Sequence, residues 1–296
     1  MIFPDPNIKR KGKIVKDHLE STTYQGMPVF SLVEFNITEL CNRTCSFCPR
    51  VDPKVYPNRN KHISTELYEK IMIELSEFSY NGNILFSAFS EPLLHKQLET
   101  LIQLSKKHCP GARVELVSNG DLVTLQKLQM IFEAGLDTIL ISLYDSPHQN
   151  EYFEQMRNNA GLRKDQMILR ERYLSAKDHY GLTLSNRAGH VNLSEAGIKP
   201  LTQSLNTPCY YPFFQITIDF DGTVLLCPHD WGKVIRAGNL TKDKLKDVWM
   251  AKAILFARKR LIQSRRNFSP CQACNVRGTY YGKEHFNMWI KYFHEK

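Results

Sequence analysis

Residues 37–50 read ITELCNRTCSFCPR and follow directly on the apolar run SLVEFNI (31–37). Cys41, Cys45 and Cys48 are thus spaced C-x3-C-x2-C on one short loop at the end of a strand-like segment. Three thiolates on such a loop can face a common point. A [4Fe–4S] cluster takes four ligands, so three cysteines leave one iron open to a substrate or cofactor. The same thiols completed by a distant histidine, such as His62 or His95, would make a zinc site. Either way the loop stands where α/β folds concentrate their chemistry, at a strand C-terminus.

Outward from this loop, short β-branched or apolar runs alternate with helical patterns. The strand-like runs are SLVEFNI (31–37), NILFSAF (83–89), ARVELVS (112–118), DTILISL (137–143) and LTLSN (182–186). Between them Leu67, Ile71, Leu75 and Phe78 recur at helical spacing behind Ser64 or Thr65 as N-cap, and Leu122, Leu125, Leu128 and Phe132 repeat the pattern before Gly135. Strand–helix alternation of this kind builds a parallel sheet, open or closed into part of a barrel. After about residue 205 the texture changes. FQITIDFDGTVLLC (214–227) alternates by two around Asp221–Gly222, a hairpin signal, and a long basic helix over roughly 241–266 leads to PCQAC (270–274).

The cluster loop resembles that of the radical S-adenosylmethionine (SAM) superfamily, including the aromatic Phe47 before the last cysteine. The resemblance implies that the open iron chelates SAM and that Phe47 packs near the adenine. SAFSEPLLH (87–95) is similar to the family's second-strand motif, with Ala88 and Ser90 where glycines are common and Glu91–Pro92 retained. Glu91 is then the implied partner of the SAM ammonium, against a plain strand-end charge. VSNGD (117–121) and ISLYD (141–145) resemble the third- and fourth-strand elements lining the ribose, with Ser118, Asn119, Ser142 and Asp145 as their polar residues, although S-N-G is also an ordinary turn. SNRAG (185–189) resembles a fifth-strand element, which makes Arg187 a carboxylate or hydroxyl partner or else a surface arginine.

Four of the remaining cysteines form a second set. Cys209, Cys227, Cys271 and Cys274 lie before the hairpin, at its end, and in a C-x2-C after the basic helix. From spacing alone they suit zinc or a complete [4Fe–4S] cluster equally. Beside the first motif they resemble the SPASM modules of the superfamily in their shortened, Twitch form, with one auxiliary cluster. Cys109 is left over and reads as an ordinary, partly buried thiol. The expected architecture is a partial (βα)6 TIM-type barrel over 31–204, an N-terminal arm over 1–30, and an auxiliary-cluster domain of a small β-hairpin plus helix over 205–296.

The resemblance implies two [4Fe–4S] clusters and SAM, a 5′-deoxyadenosyl radical, and hydrogen abstraction from a hydroxylated small molecule. A cluster with four cysteines has no open iron, which suits electron transfer and a two-electron alcohol oxidation like that of aminocyclitol-oxidising members. Arg187 or His190 would take the hydroxyl proton. A redox-neutral epimerase or dehydratase stays open. So does a peptide- or protein-modifying maturase, for which the 40 residues ahead of Cys41 are short. A non-enzymatic zinc or nucleic-acid binder stands as a third class, since KRKGK (9–13) and RKRLIQSRR (258–266) could contact phosphates.

Composition narrows these classes. The chain has 296 residues, 42% hydrophobic and 23% charged, which suits a globular fold and excludes a disulfide scaffold at eight cysteines. No apolar run approaches the roughly 20 residues of a membrane span, and the charged, proline-containing start is unlike a signal peptide, so a reducing cytoplasm is expected. The formal charge of +9 falls to about +6 with seven thiolates on two 2+ cores. That permits an anionic substrate. The expected partners are a small molecule (a nucleotide-sugar or an aminocyclitol) and a flavodoxin- or ferredoxin-type electron donor, with neither nucleic acid nor membrane.

Overall fold

The computed structural model describes residue 5, residues 7–17 and residues 23–296. The expected N-terminal arm therefore lies partly outside the described residues. Six parallel strands form the centre: β1 (Leu32–Phe35), β2 (Asn83–Phe86), β3 (Arg113–Ser118), β4 (Thr138–Leu143), β5 (Met167–Glu171) and β6 (Gln215–Ile218). Their spatial order is β6-β1-β2-β3-β4-β5, with β7 (Thr223–Leu225) and β8 (Arg236–Asn239) continuing the sheet antiparallel beyond β6. Strand β6 is both the last parallel strand and the first arm of the Asp221–Gly222 hairpin, where Gly222 has φ +81°. The sheet runs without interruption across residue 205.

Residue period two along each strand separates two environments. Val33, Phe35, Ile84 and Phe86 face outward into the main apolar core, where Phe35 and Phe86 meet Tyr68 of α2 (Thr65–Glu77). Ser64 caps that helix by accepting from the Leu67 N–H at 3.2 Å, and Thr124 does the same for α4 (Leu125–Glu133). The helices α3 (Leu98–His108) and α5 (His148–Asn159) complete the outer layer. The alternate residues Glu34, Leu85, Val117, Ser142 and Arg170 face inward onto a cavity.

Three expectations require correction. The fifth strand is MILRE rather than LTLSN, which is irregular in the structure. Its inward side chains, Arg170 and the following Arg172, are charged because they face the cavity, and that charge disguises the strand. The long basic helix is broken at Met250–Ala251 into α6 (Leu245–Trp249) and α7 (Lys252–Ile262). SNRAG is likewise a turn and not a strand, with Arg187 at φ +46° and Ala188 at φ +54°.

Four of the nine basic residues in the two expected phosphate-binding stretches point inward, while Lys9, Lys13, Lys259 and Arg265 are exposed. In the first, Arg10 of α1 (Asn7–Asp17) pairs with Glu115 on the inner face of β3, and Lys11 lines the cavity. In the second, Arg258 is fully buried, its Cζ 3.7 and 3.8 Å from the ring centroids of Trp249 and of Trp289 in α8 (Lys283–His294). It donates to the carbonyls of Pro212 and Trp249 at 2.8 and 2.9 Å. Arg266 is 2% exposed and donates to the carbonyls of Thr207, Pro208, Val276 and Arg277. These arginines hold the hairpin, the C-x2-C loop and the last helix together. Arg258→Ala is expected to cost about 3 kcal/mol or more, through lost packing and orphaned carbonyls; a chemical-denaturation midpoint equal to wild type would refute this role.

Candidate functional site

The cluster loop is held by side-chain contacts from several elements. Arg43 Nη1 and Nη2 donate to the two Asp145 oxygens at 2.7 Å each, and its Nε donates to Asp121 at 2.7 Å, which ties the loop to the ends of β3 and β4. The buried Arg50 donates to the Glu39 carbonyl at 2.7 Å and stacks over Tyr56. Asn119 Nδ2 reaches Asn42 at 2.7 Å. Within this frame Cys41, Cys45 and Cys48 all line the cavity, of about 280 Å³. Burial pushes all three thiols up, Cys45 to about 12, with its two sister thiols adding to the shift.

The second set is gathered from four chain positions. Burial pushes Cys209, Cys227, Cys271 and Cys274 up, and each is raised further by at least one other member or is itself named among their neighbours. Cys209 packs against Gly278, where a Cβ would come within 2.5 Å of its Sγ. All eight cysteines are free thiols. Among the described residues no trio of Cys, His, Asp or Glu is arranged around a single ion, although the thiols within each set feel one another's charge. The two histidines weighed as zinc ligands are engaged elsewhere: His95 uses Nε2 on the Ile63 carbonyl at 3.0 Å and Nδ1 on the Gln97 N–H at 3.1 Å, with His62 packed against it. Cys109 is buried 2% exposed and held up to about 11 by burial, the inert thiol expected.

The residues expected to hold SAM divide. Glu91, Ser118, Asn119 and Ser142 converge on the cavity. Glu91 accepts from Ser118 Oγ at 2.9 Å, the Asn119 N–H at 2.8 Å and the Leu93 N–H at 3.1 Å. Burial nevertheless lifts its carboxyl to about 7, so a cationic or N–H-donating partner would stabilise its charged form. That is the donor chemistry of the SAM amino group. Phe47 lines the same cavity and contacts Tyr144 and Tyr180, ring centroids 6.0 and 5.0 Å apart. Asp145 does not come to the cavity: two residues past the end of β4 it turns out to Arg43, with its side chain 56% exposed.

The two residues expected to take a proton also divide. Arg187 lines the cavity, and its charge reaches Cys48 of the first set and Cys274 of the second. His190 does not line it; the ring stands against Gly232, where a Cβ would lie 2.8 Å from Nε2. His229 was not anticipated. It faces the cavity with Nδ1 3.3 Å from Arg187 Nη1, and burial together with Arg187, Lys11 and Arg266 keeps it well below the ordinary histidine range, hence neutral. Glu34, Gln215, Arg170 and Lys11 were missed as well. A lone acid at alternate position in SLVEFNI and the arginine in MILRE were the available signals; for Lys11 there was none. Arg170 donates to Ser142 Oγ at 2.7 Å while its Nε is buried without a partner, and burial lowers it to about 10, which suits the carboxylate of SAM.

A pH effect follows from Glu91. The native chain keeps that proton up to about pH 7, and the unfolded chain loses it near 4.5. SAM-free protein therefore loses stability as pH rises between those values. With Glu91 as the partner of the SAM ammonium, which the resemblance implies, binding would need the ionised carboxylate and affinity would rise through pH 7. Glu91→Gln is expected to weaken SAM binding about 30-fold or more and to flatten that rise, as calorimetry from pH 6 to 8 would measure.

Comparison with known proteins agrees with this geometry. Residues 35–167 match the Radical SAM superfamily, and residues 209–275 match SPASM, an iron-sulfur cluster-binding domain. The S-adenosyl-L-methionine-dependent 2-deoxy-scyllo-inosamine dehydrogenase of Niallia circulans is 29% identical over 250 residues, spanning 83% of this chain and 93% of that protein. The crystal structure of BtrN in complex with AdoMet and 2-DOIA superposes with a TM-score of 0.71 at 25% identity, covering 86% of this chain and 97% of that one. Native anSMEcpe with bound AdoMet shares the fold at 14% identity and a TM-score of 0.51, covering 90% and 98%. Among the described residues no helix is long and apolar enough to cross a membrane. With a three-thiol loop at the cavity and a second set of four thiols, both domain matches show that this chain carries a radical SAM domain followed by a SPASM domain, and that it is an oxidoreductase of the kind that uses SAM and iron–sulfur clusters.

Proposed function

We propose that this enzyme oxidises a hydroxyl group of a polyhydroxylated small molecule to a carbonyl. The observation that carries the reading is Arg187, which lines the cavity and acts electrostatically on one thiol of each set. A substrate held there lies between the two clusters, one that begins the reaction and one that can take an electron away. When bound, the first cluster and SAM supply a hydrogen-abstracting 5′-deoxyadenosyl radical. The relative's substrate, an inosamine, is a hydroxylated ring, and the similarity over most of both chains supports that class.

Loss of a hydrogen atom from the carbinol carbon must be followed by loss of the hydroxyl proton and one electron. Arg187 is a poor proton acceptor, because a guanidinium does not deprotonate in proteins. His229 is held neutral and stands 3.3 Å from it. In this reading Arg187 orients the hydroxyl and His229 receives the proton. A flavodoxin- or ferredoxin-type donor in a reducing cytoplasm would deliver the initiating electron.

The test uses anaerobically reconstituted enzyme with SAM, dithionite and a panel of sugars and cyclitols deuterated at the carbinol carbon. Deuterium in 5′-deoxyadenosine and one carbonyl product per SAM support the reading. An epimer or dehydrated product, or modification of a peptide in place of every polyol, would overturn it. His229→Gln is expected to lower product formation about 10²-fold while SAM cleavage without substrate stays at the wild-type level; equal losses in both would remove His229 from the proton step.

A further inference from the structure

A second cavity, of about 200 Å³, adjoins the first and shares Lys11, Arg187, Tyr211, His229 and Tyr281 with it. Its walls come from α1, the irregular segment 182–187 and the stretch 276–281 after the last cysteine, together with Arg170 of β5, Tyr211 and His229. Four cations line it: Arg170, which donates to Ser142 Oγ, and Lys11, Arg187 and Arg277, one from each of the first three walls. The acid lining it, Asp5, is already paired with Arg172 and accepts the Asn7 N–H at 2.9 Å. Neither Lys11 nor Arg277 is in an ion pair of 4.0 Å or less among the described residues, although burial raises the Glu34 carboxyl and Lys11 is close enough to offset part of that rise.

One donor here has no acceptor. Arg187 Nε is buried without a hydrogen-bond partner, and the residue holds a left-handed backbone at φ +46° that turns its side chain toward the cavity. Lys11, Arg187 and Arg277 gathered without a free carboxylate are not what an uncharged sugar ring requires, and they repel an amine. A carboxylate would engage one of them. A phosphoryl group, with about two charges and several acceptor oxygens, can engage all three. Tyr280 and Tyr281 flank the space, with Arg277 over the Tyr280 ring at 5.4 Å to the centroid.

We infer that the substrate carries a phosphoryl group, seated between Lys11, Arg187 and Arg277, while its hydroxylated ring occupies the first cavity. This rests on the polyol reading above and departs from the aminocyclitol of the similar dehydrogenase. Reconstituted holoenzyme with excess SAM is titrated calorimetrically with inorganic phosphate, glucose 1-phosphate, glucose, glucuronate and glucosamine. Glucose 1-phosphate is expected to bind about tenfold or more tighter than glucose or glucosamine, and to weaken as salt rises. The Lys11→Gln/Arg277→Gln double variant is expected to lose about tenfold for glucose 1-phosphate and for phosphate but nothing for glucose, and Lys11→Arg/Arg277→Lys to restore most of it.

Binding of the phosphate no tighter than glucose, insensitivity to the double variant, or preference for glucosamine overturns the inference; glucuronate binding as tightly as glucose 1-phosphate overturns it in favour of a carboxylate. The two readings fail separately. Phosphate binding that depends on Lys11 and Arg277, with no polyol oxidised in the deuterium assay, removes the oxidation and leaves the subsite standing. Polyol oxidation that is indifferent to phosphorylation does the reverse.

Discussion

Reconstituted Cys48→Ala is expected to release essentially no 5′-deoxyadenosine with dithionite and SAM, a fall on the order of 10³ or more, because the protein's contribution without the cofactor is only binding and orientation. Iron content should fall to about four per chain from about eight, with the second set still loaded. The physical basis is the burial that raises all three thiols of the loop, Cys45 to about 12. In the metal-free protein these groups are protonated at neutral pH; iron must displace their protons, so cluster assembly releases protons and improves as pH rises. Liquid chromatography of 5′-deoxyadenosine and an iron assay read both quantities. Cleavage of SAM at wild-type rate by the variant would take Cys48 out of the ligand set.

Cys227→Ala separates the clusters in the other direction. SAM cleavage should survive within a few-fold, since the first loop is pinned by Arg43 and Arg50, which do not touch Cys227. Carbonyl formation should fall about 10²-fold or more, and iron to about four per chain. Substrate would still lose its hydrogen atom, so uncoupled 5′-deoxyadenosine without ketone is the expected signature. Intact oxidation in this variant would exclude the auxiliary site as electron acceptor. The substitution also removes a thiol that burial and its three sister thiols hold protonated in the metal-free state, so an effect on folding of the metal-free chain should be small. Denaturation of both proteins before reconstitution checks that.

The parts of the site that were legible beforehand are those written in contiguous sequence. The spacing of Cys41, Cys45 and Cys48 specifies a three-thiol loop wherever it is placed, because the ligands are covalently neighbours. Ser64 and Thr124 announce helix starts for the same local reason, and four of the six parallel strands show in their apolar runs. The fifth was hidden because its inward residues are charged. An inward position in this barrel faces a polar cavity, so the rule that strands alternate apolar and polar held with the wrong face assumed to be the core. The sixth lay in plain view inside the hairpin motif, and only its pairing with β1 makes it part of the barrel.

Sequence therefore pointed to the cofactors of this protein through the family resemblance its motifs carry: seven cysteines in two spacings, an aromatic beside the third, and Glu91–Pro92 just after the next strand. Tertiary structure alone decided where substrate can sit. Lys11, Arg187, His229 and Arg277 are separated by up to 266 positions and meet at one pair of cavities because α1, a left-handed turn and the segment before α8 close over the inner face of the sheet. It also decided which basic residues are available. Arg258 and Arg266, which read as a solvated or phosphate-binding helix face, are buried on tryptophans and carbonyls. Ligand spacing is a property of short chain segments, whereas the sign of a cavity's field depends on which charges folding leaves unpaired, and long-range packing sets that balance.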